Sequence, residues 1–207
     1  MSGEVGANEP EYGPHVALVV VDVQNDFADP AGSLYVTGGD EIVAGINAQI
    51  AAAREGGATV VQTQDWHPPQ TPHFIEGGGT WPVHCVRNTW GAESHPGLSA
   101  EADLVIRKGT GGEDGYSAFT VLDPESGAAR PTGLAGYLHE RGVTEVVVVG
   151  LAADVCVKAT ALDAVSSGFA SVVLWDLTRA VELADGDGER AREELLGASV
   201  QLIGSPG

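Results

Sequence analysis

The segment 145–156 reads Glu-Val-Val-Val-Val-Gly-Leu-Ala-Ala-Asp-Val-Cys, and it indicates both a fold class and a reactive residue. Its uninterrupted run of four valines is typical of a parallel strand that is buried on both faces. The turn at Gly150 then leads into a helical pattern that we expect from Asp154 to Ser167. Cys156 would lie at the start of this helix, where free backbone N–H groups favour a thiolate and can bind an oxyanion. A buried cysteine can also be ordinary core packing, so its role depends on its neighbours.

The alternation of strand and helix continues on both sides of this segment. Ile42, Ile46 and Ile50 recur at the four-residue spacing of one buried helix face. The predicted strands are His15 to Asp22, Ala58 to Thr63, Leu104 to Lys108, Glu145 to Val149, Ser171 to Trp175 and Val200 to Ile203, and the predicted helices are Asp40 to Glu55, Gly133 to Arg141, Asp154 to Ser167 and Glu189 to Leu196. About six strands with intervening helices predict an α/β fold, a single-domain doubly wound parallel sheet with helices on both faces.

The composition fits one domain, residues 1–207, and narrows the class of partner. The formal charge of −19, from 10 basic and 29 acidic side chains, repels nucleic acid and anionic lipid surfaces. We therefore expect no nucleic acid and no membrane as partners, and a small neutral substrate. No apolar run approaches the ~20 residues that span a bilayer, and residues 1–14, predicted to be a loose arm, are polar and acidic, unlike an export signal. We expect a cytoplasmic protein with reduced cysteines, and the oligomeric state, monomer or homo-oligomer, stays open.

Four reactive side chains fall at the ends of predicted strands. Asp22 ends the first strand, Asp65 follows the second, Lys108 ends the third, and Cys156 follows the fourth. Ligands of doubly wound sheets bind beyond the carboxyl ends of the strands, so we expect these side chains to converge there. Lys108 is one of only two lysines in the chain. Its ammonium is expected to orient Asp22 and to lower the pKa of the Cys156 thiol.

The long stretch between the second and third predicted strands is rich in proline, glycine and aromatic residues, which favours a functional loop. Asp65 and His67 are two residues apart, so on extended backbone their side chains face the same side and can bind one ion. His84 would complete a ligand set, and His73 is a further candidate. A carboxylate with imidazoles suits Zn²⁺, Fe²⁺ or Mn²⁺, although Asp and His also cap turns.

Six motifs, in their order and spacing, carry a resemblance over nearly the whole chain. They are Asp22-Val-Gln-Asn-Asp-Phe27, Gln64-Asp-Trp-His-Pro68, Trp81-Pro-Val-His-Cys-Val86, Gly91-Ala-Glu93, Arg107-Lys-Gly109 and Gly150-Leu-Ala-Ala-Asp-Val-Cys-Val157. With these motifs the chain resembles the isochorismatase-like cysteine hydrolases and, within them, the nicotinamidase/pyrazinamidase branch. Gly109 to Gly115 is a longer segment than many members carry before the pocket tyrosine, which would be Tyr116.

The resemblance implies a reaction and the residues that perform it. Asp22, Lys108 and Cys156 would be the catalytic triad, with the N–H groups of Ala152 and Cys156 as an oxyanion site next to a cis peptide bond between Leu151 and Ala152. The metal ligands would be Asp65, His67 and His84 with His73 as a further contact, and the substrate pocket would contain Phe27, Trp81, Tyr116 and Leu151. Gln24 and Asp26 would shape the loop. The implied reaction, a step of NAD salvage, converts nicotinamide to nicotinate and ammonia, and pyrazinamide to pyrazinoate, through a cysteine thioester.

The resemblance also implies the cofactor, and the residues leave two other functions open. One divalent metal ion, with zinc favoured over iron or manganese and no organic cofactor, would position the ring nitrogen of a small heteroaromatic amide. An N-carbamoylsarcosine-type amidase of the same family would share the triad without needing the metal cluster. A non-catalytic metal- or nucleotide-binding α/β protein would fit the fold alone, although no Gly-x-Gly-x-x-Gly follows the first strand.

Overall fold

A computed structural model describes residues 9–111, 115–123 and 126–205. The strands are β1 (Val16–Val21), β2 (Thr59–Asp65), β3 (Leu104–Lys108), β4 (Thr120–Leu122), β5 (Ala129–Pro131), β6 (Glu145–Leu151), β7 (Ala170–Arg179) and β8 (Gln201–Ile203). The α-helices are α1 (Asn25–Ala28), α2 (Val43–Gly56), α3 (Leu134–Glu140), α4 (Lys158–Ser166) and α5 (Asp187–Gly197). Among the described residues, no helix has the length and apolar character to cross a membrane.

Six of the strands form one parallel sheet in the order β3-β2-β1-β6-β7-β8, so the predicted doubly wound sheet is confirmed. The chain winds outward from β1 to β3 and then crosses to β6, which pairs with the other side of β1. The strand order therefore reverses between β1 and β6. The cleft outside the carboxyl ends of these two strands is the expected ligand site of such a sheet.

Alternate residues of the central strands face two separate cores. In β1, Val16, Leu18 and Val20 lie in one core, whereas Ala17, Val19 and Val21 lie in the other. Helix α2 covers the first core with Ile46 and Ile50, as its spacing predicted, and α3, α4 and α5 cover the second. Burial of both faces explains why these strands are continuous apolar runs rather than alternating ones.

Several predicted boundaries differ from the structure. β2 continues to Asp65, β6 to Leu151 and β7 to Arg179, each beyond its predicted end. The antiparallel hairpin of β4 and β5 has strands of only three residues, too short to produce a periodic pattern. The helix predicted from Asp154 begins instead as a π-helical turn, Ala153–Val157, that continues into α4.

The predicted loose arm, residues 1–14, falls mostly on residues 1–8, which lie outside the described part of the chain. Of the remainder, Tyr12 packs against the first core and donates a hydrogen bond from its hydroxyl to Gln49 Oε1 at 2.8 Å. This part of the arm is therefore attached to α2.

Candidate active site

The Lys108 ammonium, fully buried at the end of β3, is the centre of the site. Its Nζ donates hydrogen bonds to Asp22 Oδ2 at 2.6 Å and to the backbone oxygen of Tyr116 at 3.0 Å, and it forms an ion pair with Asp65 Oδ1 at 3.0 Å. Asp22 is held from its other side by the Thr63 hydroxyl, which donates to Oδ1 at 2.6 Å. Burial alone would lower the pKa of Lys108, but the two carboxylates raise it well above its usual value. The lysine is therefore a permanent cation between two acids.

Gly150 brings the turn that carries the cysteine next to the strand that carries Asp22. It pairs with Val21 across β6 and β1 and has a φ of +111°, in the region that favours glycine. A Cβ at this position would lie 2.2 Å from the backbone oxygen of Val21. Only a residue without a side chain permits this approach.

Cys156 lies in the π-helical turn, 6% exposed, with its sulfur within 4.8 Å of carboxylate oxygens of Asp22 and Asp65. The peptide bond between Leu151 and Ala152 is cis, as predicted. Burial raises the pKa of the Cys156 thiol well above its usual value; Lys108 opposes this, but the two carboxylates raise it further. Lys108 thus lowers this pKa as expected, but its effect is outweighed, because the turn buries the sulfur beside two acids.

Three histidines and Asp65 form a second cluster beside the lysine. Nitrogen atoms of His67, His73 and His84 lie within 4.8 Å of one another, and the Nε2 atoms of His67 and His84 lie 3.6 and 3.7 Å from Asp65 Oδ2. His84 Nδ1 lies 2.7 Å from the Pro82 oxygen. A proton on Nδ1 would satisfy that contact and leave the Nε2 lone pair directed at the cluster.

His67 gives a further reason to regard the cluster as a metal site. It is buried, and within the described part of the chain neither of its ring nitrogens has a hydrogen-bond partner. Buried polar atoms are nearly always paired, so two unpaired nitrogens on one side chain need an explanation. Convergent imidazoles with a carboxylate fit a divalent metal ion.

Asp65 joins the two clusters, since one carboxylate oxygen faces Lys108 and the other faces His67 and His84. Burial alone would raise the pKa of Asp65, but Lys108 and the two histidines hold it well below its usual value. It is thus an ionised carboxylate shared between the lysine and the histidine cluster.

One pocket, with about 360 Å³ of space including its mouth, is open to both clusters. Cys156 lines it together with Asp65, His73 and His84. Its aromatic walls are Phe27, Trp81 and Tyr116, and its aliphatic walls are Leu34, Val36, Ala152, Val155 and Val181. The Trp81 indole N–H donates to the Tyr116 hydroxyl at 2.9 Å, and the His73 ring stacks on Trp81 at 6.3 Å between centroids.

Leu151 was expected in this pocket, but the structure places it elsewhere. Because β6 continues through Leu151, its side chain is fully buried in the first core, and its neighbour Ala152 lines the pocket instead. The other aliphatic wall residues, Leu34, Val36, Val155 and Val181, were not predicted, since isolated apolar residues form no periodic pattern.

Asp154 holds one wall of the pocket in place, and it too was missed. Its two carboxylate oxygens accept the backbone N–H groups of Val181 and Glu182, both at 2.9 Å. Asp154 is two residues before Cys156, so this clamp ties the pocket wall at Val181 to the turn that carries the thiol.

Known proteins and solved structures resemble this chain over most of its length. The profile of the isochorismatase domain family matches residues 16–200. The nicotinamidase/pyrazinamidase of Mycobacterium tuberculosis is 45% identical over 193 residues, which cover 90% of this chain and 97% of that protein. A crystal structure of PnC1 from L. infantum in complex with nicotinate is 42% identical, with a TM-score of 0.84, over 94% of this chain and 95% of that one. The pyrazinamidase of Pyrococcus horikoshii in complex with zinc is 39% identical, with a TM-score of 0.80, over 93% of this chain and 100% of that one.

Proposed function

The chain belongs to the isochorismatase domain family, and we propose how its site hydrolyses nicotinamide to nicotinate and ammonia, and pyrazinamide to pyrazinoate. It is a hydrolase that acts on amides. One observation carries the mechanism: the same pocket is lined by the Cys156 thiol and by the cluster of Asp65, His73 and His84. A flat heteroaromatic amide can place its ring at one end and its carboxamide at the other.

Asp22 is the proposed proton carrier. Burial and two carboxylates raise the pKa of the thiol, which favours attack assisted by a base that accepts its proton. Burial also raises the pKa of Asp22, although Lys108 opposes this, and a more basic carboxylate accepts a proton more readily. As the sulfur of Cys156 bonds to the carboxamide carbon, its proton passes to Asp22. Lys108 keeps its own proton and holds Asp22 in place.

The backbone N–H groups of Ala152 and Cys156 are the proposed donors to the oxyanion that forms. One such donor is typically worth ~3 kcal/mol in the transition state. Asp22 then gives its proton to the amide nitrogen, the C–N bond breaks, and ammonia leaves a thioester on Cys156. Water attacks the thioester with Asp22 as its base, and the proton returns to the sulfur as the acid is released.

The proposed metal ligands are Asp65, His67 and His84, with His73 as a further contact. A set of imidazoles and one carboxylate favours zinc. When bound, the ion supplies a Lewis-acidic position for the ring nitrogen of the substrate. The protein contributes the alignment: Phe27 and Trp81 confine the ring, so that the carboxamide meets the thiol.

The surroundings of the site fit a neutral amide in a reducing compartment. Both cysteines are free thiols, which supports a cytoplasmic location. An N-carbamoylsarcosine-type amidase would need the triad but would leave the cluster of histidines without a purpose.

Ammonia release from nicotinamide tests the proposal. Cys156→Ala should lower kcat by at least about 1000-fold while zinc content stays the same, because the thiol is the proposed nucleophile and not a ligand. Benzamide, which lacks the ring nitrogen, should react much more slowly than nicotinamide. Full activity in Cys156→Ala would overturn the mechanism, and equal turnover of benzamide would overturn the role of the metal.

A further inference from the structure

Three acidic or amide side chains, at alternate positions just after β1, reach three different parts of the site. Asp22 binds Lys108, as described above. Gln24 and Asp26 are buried as well, yet neither lines the pocket. Their hydrogen bonds lead instead to the loops that carry the proposed metal ligands.

Gln24 fixes the backbone of Asp65 on both sides of the residue. Its Oε1 accepts the Asp65 N–H at 2.8 Å, and its Nε2 donates to the Asp65 backbone oxygen at 2.7 Å. The same amide donates to the Ala92 oxygen at 2.9 Å. With its side chain fully buried and three bonds made, Gln24 leaves the Asp65 backbone little freedom to shift.

Asp26 performs the corresponding task for the loop that carries His84. Its Oδ2 accepts the N–H of Cys85, the residue after His84, at 2.7 Å. Its Oδ1 accepts the N–H of Ser33 at 3.0 Å, which fixes the carboxylate from the opposite side. Gly91 packs directly on this carboxylate, where a Cβ would lie 2.1 Å from Oδ2.

We infer that Gln24 and Asp26 are positioning residues for the metal cluster: Gln24 holds Asp65, and Asp26 holds His84, in place before the ion binds. The inference rests on the proposed metal site but not on the proposed reaction. Groups that orient metal ligands typically contribute about 10- to 100-fold to metal affinity. The short segment after β1 would thus organise both the triad and the metal cluster.

Zinc affinity, measured by competition with a chromophoric chelator, tests the inference with three variants. Gln24→Met keeps the length of the side chain and removes its hydrogen bonds. Asp26→Asn keeps the shape but replaces one acceptor oxygen with an N–H₂ group, which would face a backbone N–H. Both should raise the Kd for Zn²⁺ by about 10- to 100-fold and speed zinc release to the chelator.

Asn25→Ala is the matched control, because Asn25 is buried in the same segment and donates from its side chain to the Trp90 oxygen at 2.7 Å. Within the described residues, none of its hydrogen bonds reaches a proposed metal ligand or a residue next to one. Its Kd for zinc should stay within about twofold of wild type, even where its thermal unfolding temperature falls as far as in the other two variants. The inference is overturned if Gln24→Met and Asp26→Asn both leave the zinc Kd unchanged, or if Asn25→Ala raises the zinc Kd as much as they do. If wild type itself binds no zinc, the proposed metal site fails instead.

Hydrogen exchange in the wild-type protein gives a second test that needs no folded variant. The amide protons of Asp65 and Cys85 are those bound by Gln24 and Asp26. If these bonds are coupled to the metal cluster, adding Zn²⁺ must slow exchange at both amides more than at the Asn25 amide, which is bound to Glu93. Equal protection of all three amides with and without zinc contradicts the coupling.

Discussion

Lys108→Met should destabilise the fold strongly, because it removes the ammonium between Asp22 and Asp65. It keeps an unbranched side chain that is one atom shorter, so the rest of the packing changes little. At separations of 2.6 and 3.0 Å, the two attractions amount to about 6 kcal/mol each at an effective dielectric constant of ~20. Much of this is offset by the cost of burying the ammonium, which the variant no longer incurs. We expect a net loss of about 3–5 kcal/mol in the free energy of unfolding, as for other buried pairs that lose one partner.

Urea unfolding at pH 8 and pH 5.5 measures this loss of stability. A chelator keeps the protein free of metal, so that pH-dependent metal binding does not contribute to the result. Without Lys108, the pKa of Asp22, which burial already raises, should rise further. An acid whose pKa is higher in the folded state than in the unfolded state makes the folded state bind more protons, so stability falls as pH rises through that pKa. The deficit of the variant should therefore be larger at pH 8 than at pH 5.5.

The double variant Lys108→Met/Asp22→Asn is the control for the physical cause. It removes the carboxylate that the single variant leaves buried without its cation, and we expect it to recover at least ~2 kcal/mol of stability at pH 8. A single variant that loses less than ~1 kcal/mol, or a double variant no more stable than the single one, would refute the electrostatic account.

Three further perturbations test other parts of the site. Trp81→Phe and Tyr116→Phe each remove the hydrogen bond between the indole and the phenol, which is worth about 0.5–1.5 kcal/mol. Steady-state kinetics should therefore show a similar rise of about 2- to 10-fold in the KM for nicotinamide in both variants. A rise in only one variant would contradict a shared bond. Asp154→Ala leaves the backbone N–H groups of Val181 and Glu182 without their acceptor, so the free energy of unfolding measured in urea should fall by about 2–4 kcal/mol. Asp154→Asn should lose less. Equal stability of Asp154→Ala and wild type would exclude the clamp. Removal of metal with a chelator should lower nicotinamide turnover far more than benzamide turnover, measured as ammonia release, and an equal loss for both substrates would exclude recognition of the ring nitrogen.

Topology made the reactive edge of the sheet predictable. The carboxyl ends of parallel strands lie at one edge of the sheet, so Asp22, Lys108 and Cys156 could be brought together from their positions at or just after strand ends, although they are far apart in the sequence. The two-residue spacing of Asp65 and His67 likewise predicted that their side chains lie together, at the end of β2 and just after it. In both cases the relevant distance is set by backbone geometry that a sequence pattern already contains.

Properties that depend on side-chain surroundings could not be predicted in this way. The pKa of Cys156 is raised overall although Lys108 lowers it as expected, because burial and two carboxylates contributed by other strands outweigh the lysine. Gln24 and Asp26 were expected only to shape a loop, since their partners are backbone atoms, which a sequence does not distinguish. Leu151 was assigned to the pocket from the resemblance, but β6 continues two residues beyond its predicted end and buries the Leu151 side chain in the first core.

Gly150 has a consequence for the interpretation of naturally occurring variants. It bears no reactive side chain and does not line the pocket, yet any larger residue there would push the turn that carries Cys156 away from Val21 and so separate the proposed nucleophile from Asp22, its proposed base. Substitutions at this position should therefore appear as loss-of-function alleles, because they disturb both the pairing of β6 with β1 and the position of the thiol. A classification of variants that considers only residues with reactive side chains would overlook Gly150.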